Sequence, residues 1–567
     1  MSKDPNTIKT SEHEINEITI ESPKTTEPTD ISQILADSHD NILPFHKVIV
    51  VFLALASSLF LSFIDQSGLT ISLPFIAKEL NAQETISWAG TSSLIGQTTF
   101  MILFGRFSDI FSRKYVIILS ILILALADLS CGFATKSYQF YIFRSFAGIG
   151  NGGIMSLSMM ITSDIISLEQ RGVYQGIMGS FVGLGNIAGP FLSSGFININ
   201  LENLKCWRYF YYLIAPLLII DAVLLWVFVP FTHHKQDFTK QLKQIDSWGF
   251  LSSSVSIIFF LIPISGGGST FNWSSPLVIS FFIISFISLI VFIIIELNFA
   301  KLPMIPIYLF HTKPSLTFLF SHNFFFGISY FGMLYYIPYY LQLIRGYSSI
   351  DSSKFLLCLT IPTMISSFIG GYEVSRSKRY WYVIWTGYIL WTIGICLLSL
   401  WNEHSSIVPI IASLIISGFG VGCIFQPTLI ALQAHSFRKD RAVVITIRNM
   451  LRGLGGCVGL SVSSTILSNF YIKKLNSSEG FKLFTKSEIL NLEREIYTKF
   501  SLDLYTSKQI EFLKRIYMES LKNVFYLWIA CIIYCLFTNA TVRDHGLESI
   551  DGEKKSDEET SSNQEKA

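Results

Sequence analysis

About fourteen stretches of roughly 20 apolar residues, separated by short polar connectors, run through the 567-residue chain and decide what it can fold into. A bilayer's hydrocarbon core is about 30 Å thick and an α-helix rises about 1.5 Å per residue, so each stretch can cross once. Half of the residues are hydrophobic and only 14% are charged, against about 25% charged in soluble proteins. The reading is an all-α membrane protein. Its spans lie near 48–74, 88–107, 115–134, 138–163, 173–195, 209–230, 249–267, 276–297, 316–342, 354–373, 382–400, 407–432, 447–470 and 521–539.

The polar ends carry a different composition. Residues 1–46 are rich in Glu, Thr, Ser, Asp and Pro and read as a disordered tail, as do residues 541–567. No short apolar core of a cleavable signal precedes Val48. Basic residues orient the spans. With the N-terminus in the cytosol, inner loops hold Arg106, Arg113, Lys114, Arg171, Lys235, Lys301, Arg376, Arg379, Arg438 and Arg441, among others, while short outer loops hold few. The loop 471–520, with Lys473, Lys474, Lys514 and Arg515, runs against the trend. Both glycosylation sequons, at Asn272 and Asn476, fall on the outer side, and an even span count returns the C-terminus to the cytosol.

Several function classes drop out. A net charge of +2 and the lack of a basic, aromatic-interleaved segment exclude nucleic acid as a partner. The eight cysteines are scattered without metal or disulfide spacing, and no metal site or cofactor is expected. No nucleophile constellation suggests an enzyme. No G-x-x-x-x-G-K-[ST] phosphate loop is present, so the chain has no evident ATP site.

Charges inside the spans mark the chemistry. An arginine at the centre of a span costs at least about 2.5–3.5 kcal/mol, so it should face a polar cavity or a partner. Counting from the outer ends of their spans, Asp65, Asp128 and Arg144 all lie in the outer half and are expected to share one polar site, with Asp65 and Arg144 as the candidate proton-coupling pair. A static ion pair that only orients helices is the alternative. Asp221, near the middle of span 6, is a candidate for recognising a cation, or else a helix-tying hydrogen-bond acceptor.

The segment Gly105-Arg106-Phe107-Ser108-Asp109-Ile110-Phe111-Ser112-Arg113-Lys114 resembles the G-x-L-a-D-r-x-G-R-K motif of the major facilitator superfamily, with Ser112 in place of the second glycine. The resemblance implies a cytosolic latch built from Gly105, Asp109, Arg113 and Lys114. Asp65 and Leu73-Pro74 resemble parts of the span-1 pattern of multidrug antiporters. Arg144-Ser145-Phe146-Ala147-Gly148-Ile149-Gly150 is similar to the family's R-x-x-q-G-x-G motif, whose arginine is linked to proton coupling. Gly185, Gly189 and Pro190 resemble the antiporter motif of span 5, and Tyr335, Tyr339 and Gln342 belong to a stretch similar to fungal fourteen-span members. Those three join Asp221 as substrate-binding candidates.

The resemblance covers roughly 48–540 and implies a major-facilitator-like fold. Residues 47–230 would form one six-helix bundle, 231–310 a linker with two extra spans, and 311–540 a second six-helix bundle. It implies a monomeric drug:proton antiporter of the bilayer, exporting small amphipathic or cationic compounds as its substrate. The plasma membrane is favoured over the vacuolar membrane. Residues 76–88 also look like a loop of vacuolar basic-amino-acid antiporters, and a non-transporting nutrient sensor is the alternative of another class.

Overall fold

A computed structural model describes residues 45–83, 85–166, 170–199, 205–229, 246–266, 271–299, 303–306, 308–312, 314–436, 440–494, 496, 505–544 and 546. The expected tails, apart from a few residues at their inner edges, and the basic residues Lys235, Lys301 and Arg438 lie outside the described residues.

Among the described residues, fourteen helices have 19 or more residues. The first six are α1 (Phe45–Glu79), α2 (Trp88–Phe111), α3 (Arg113–Phe133), α4 (Ser137–Ile165), α5 (Arg171–Ile199) and α6 (Arg208–Phe228). Two follow as α7 (Ser247–Gly266) and α8 (Pro276–Asn298). The rest are α9 (Pro314–Tyr339), α10 (Ser349–Ser377), α11 (Trp381–Ser399), α12 (Ile407–Phe425), α13 (Arg441–Leu475) and α14 (Ser507–Thr538). Eleven of the long helices are apolar enough to cross a membrane by length and composition; α2, α4 and α9 are not among them. All three bury polar groups, including Gln97, Asn151 and His322.

Small residues set how closely the helices pack. A Cβ on Gly148 of α4 would lie 1.8 Å from the Ser93 carbonyl oxygen of α2, so these backbones touch. Gly189 of α5 meets the Ile64 carbonyl of α1 in the same way, and Gly455 of α13 meets Phe324 of α9. Helices α1–α6 pack among themselves through α1 with α5, α2 with α4 and α3 with α6. Helices α9–α14 do so through α9 with α13 and through α12 with α10 and α11. The two groups meet along α5 against α10 and α2 against α13. Helix α8 lies on α7 with Ile283, Phe286, Ile287, Ile290 and Ile294 exposed, as a lipid-facing helix must.

Three details depart from uninterrupted spans. Proline 427 has no N–H to donate, and α12 stops at Phe425 before a short helix, Pro427–Ala434. After Pro338, α9 loosens into a π-helical turn over Tyr340–Ile344, a distortion found often at functional sites. Helix α14 begins at Ser507, well before the expected 521, because its first turns are amphipathic: Phe512, Leu513 and Ile516 are buried while Lys508 and Arg515 are exposed.

Candidate functional site

The site starts from one arginine. Arg144 stands two turns into α4 and is 1% exposed. Its Nη1 lies 2.5 Å from Asp65 Oδ1 on α1 and 3.6 Å from Asp128 Oδ1 on α3. Both carboxylates are wholly buried. Asp65 Oδ2 also accepts from Asn151 Nδ2 at 3.0 Å, and Asn151 Oδ1 accepts from Ser62 Oγ at 2.6 Å. Asp128 is different: neither of its oxygens has a hydrogen-bond partner. Two carboxylates around one guanidinium leave a net charge of −1 in a buried site, and a single proton makes the group neutral.

Arg144 also lines a small cavity, together with Gln66, Ser67 and Thr70 of α1, Ser93 of α2, Asn186 of α5, and Phe331, Leu334 and Tyr335 of α9. The walls therefore come from both helix groups. Asn186 Nδ2 donates to Tyr330 Oη at 2.9 Å, a direct hydrogen bond across that boundary. The lining is apolar with a few polar groups, as small-molecule sites generally are.

The other sequence-derived candidates divide. Tyr335 lines the cavity, with its hydroxyl against Gly90 of α2. Tyr339 and Gln342 are buried but do not line it. Asp221 lies elsewhere, on the seam of α6 and α1, accepting from Ser57 Oγ at 2.5 Å and Ser58 Oγ at 2.6 Å. Those hydroxyls occupy both of its oxygens, so Asp221 ties two helices together. Gly185 and Gly189 press α5 onto Phe60 and Ile64 of α1, and Pro190 sits within α5.

In the α2–α3 connection, Arg113 forms an ion pair with Asp164 at the end of α4. Arg106 donates to the Pro303 carbonyl, and Lys114 lies over the Trp226 ring at 5.5 Å. Gly105 approaches Thr446 of α13, bringing the two helix groups together at this end. The side chain of Asp109 lies outside the described residues. Ser112 has φ +73° and ψ 130°, a conformation that suits glycine, which the family motif carries there. The sequons Asn272 and Asn476 are both exposed.

Asn151, Asn186 and Tyr330 were not named as site residues from the sequence, nor were two buried arginines of α13, Arg448 and Arg452, although Asn186 and Arg452 fall within stretches that resemble the family. Asn151 sits among four glycines that read as packing. The arginines did carry a signal, a pair four residues apart in a span.

Comparison with known proteins places this geometry. The family model described as Major Facilitator Superfamily matches residues 55–460. Citrate exporter 1 of Yarrowia lipolytica is 42% identical, over 90% of this chain and 75% of its own length. A multidrug transporter protein of Bacillus subtilis is 27% identical, over 85% of this chain and 90% of its own. Among solved structures, a bacterial homologue of the human lysosomal transporter Spinster, inward-facing and unoccupied, superposes with a TM-score of 0.58 at 14% identity. That superposition covers 88% of this chain and 98% of the other.

Proposed function

The chain belongs to the major facilitator superfamily, and on that premise we propose that it is a proton-coupled antiporter exporting small organic solutes. The observation that carries this reading is the buried Asp65–Arg144–Asp128 group, whose arginine lines the cavity between the two helix groups. With Asp128 protonated the group is neutral and the helices around it are held together. When the proton leaves, one carboxylate in excess remains in a buried site, a charge imbalance costly enough to favour a different packing of the helices. A solute occupying the cavity and a proton occupying Asp128 then favour opposite arrangements. Alternating exposure of one site between two helix bundles turns that competition into exchange.

Relatives named as a citrate exporter and a multidrug transporter support outward movement of small organic molecules. Multidrug export at the plasma membrane is one form of this activity, and export of an organic acid is another.

The test is purified protein in vesicles with a pH-sensitive dye inside. Added solute should drive protein-dependent proton movement in the opposite direction, and Asp65→Asn should abolish it while solute still binds. Proton movement of normal size in that variant would refute the coupling.

A further inference from the structure

Helix α13 carries a second buried cationic site. Arg448 and Arg452 stand one helical turn apart on the same face and are 0% and 1% exposed. Among the described residues neither guanidinium forms an ion pair, whereas Arg144 has two carboxylates beside it. Their shared partner is the Phe425 carbonyl at the end of α12. Leu429 donates its N–H to Gln426, so the broken helix leaves that carbonyl to Arg448 Nη2 and, at 3.4 Å, to Arg452 Nη2. A helix C-terminus supplies about half a negative charge, which does not balance two full positive ones.

The remaining donors are unsatisfied. The Nε atoms of both arginines, Nη1 of Arg452 and Nδ2 of Asn449 are buried without a hydrogen-bond partner. Arg452 packs over the rings of Phe326 at 4.2 Å and Phe425 at 4.4 Å, and its Nη2 donates to Asn323 Oδ1 at 2.9 Å. Aromatic contact takes up the faces of a guanidinium and leaves its N–H edge for a planar acceptor. A carboxylate offers two parallel acceptors with that spacing.

We infer that Arg448 and Arg452 recognise a carboxylate of the exported solute, which is therefore a small organic anion; this inference rests on the exporter reading above. Exposure below 2% at both residues seals the pair from lipid headgroups. Helix α9 carries residues beside the pair and others that line the cavity. Phe326 and Tyr330 stack beside Arg452, Tyr330 is bonded to the cavity residue Asn186, and Tyr335 lines the cavity about 13 Å along the helix from Phe326. An entering carboxylate takes over the arginine N–H groups that now reach the Phe425 carbonyl.

Equilibrium binding of radiolabelled citrate to the purified full-length protein tests the assignment, with its uncharged trimethyl ester as competitor. Citrate should bind, the ester should fail to displace it, and Arg448→Gln and Arg452→Gln should each weaken binding about 10- to 100-fold, with Arg452→Lys intermediate. Gel filtration reports whether the variants fold. Should they not fold, discrimination between citrate and ester in the wild-type protein decides alone. Equal binding of acid and ester, no citrate binding, or full affinity in folded variants would each overturn the assignment. Proton exchange driven by a lipophilic cation, without citrate binding, would sink the anion site and leave the antiporter reading standing. Citrate binding without any proton exchange would do the reverse.

Discussion

Removing either end of the central ion pair should have unequal consequences, and the distances say why. In Asp65→Asn, Arg144 keeps Asp128 at 3.6 Å as its counter-ion, so the group is neutral without any proton. The new amide still accepts from Arg144, and Asn151 can turn over because Ser62 Oγ both donates and accepts. The cost is then the loss of one charge-assisted hydrogen bond, about 1.5–3 kcal/mol. Arg144→Gln instead leaves two buried carboxyl groups with no cation. Breaking a buried pair this way costs about 3–5 kcal/mol. Adding Asp65→Asn to Arg144→Gln removes one of the stranded carboxyls and should recover part of that loss. Thermal unfolding in detergent of the two single variants and the double variant checks the order. Equal destabilisation by the singles, or a double variant worse than Arg144→Gln alone, would refute the electrostatic account.

Two further perturbations follow from backbone geometry. Ser112→Gly relieves φ +73°, which should stabilise the protein by about 1 kcal/mol and raise its unfolding temperature; a lower unfolding temperature would contradict this. Gly148→Ala puts a methyl 1.8 Å from the Ser93 carbonyl oxygen, against a floor near 3.0 Å, so α2 must retreat from α4. Overpacking of that kind costs about 3 kcal/mol and should cut the yield of monodisperse protein, whereas Gly195→Ala, with nothing nearby, should not.

The helices were legible because lipid demands long apolar runs, and the central group because a charge inside such a run is costly and needs a reason. Asp65, Asp128 and Arg144 met that condition singly, and their common place in the outer half suggested that they meet. What the sequence hid has equally plain causes. Asn151 carries no charge and sits among glycines, so only its contact with Asp65 marks it. Arg448 and Arg452 lay just inside a span placed at 447–470, where basic residues snorkel to the interface without cost. The helix actually begins at Arg441 and carries both arginines inward. Asp221 fitted a cation site by depth alone, and only the positions of Ser57 and Ser58 turned it into a helix tie. Proline 427 announced a break in α12, but not that the carbonyl it frees would hold two guanidiniums.

The central claim is that one proton and one solute compete for a single pair of bundle arrangements through Asp128. It is tested most directly in vesicles at zero membrane potential, by finding the solute gradient at which net flux vanishes as the imposed pH difference is varied. The account predicts that this balance point moves about tenfold per pH unit for each proton exchanged, and that it ignores pH in Asp128→Asn. A balance point in the wild-type protein that ignores pH would contradict it.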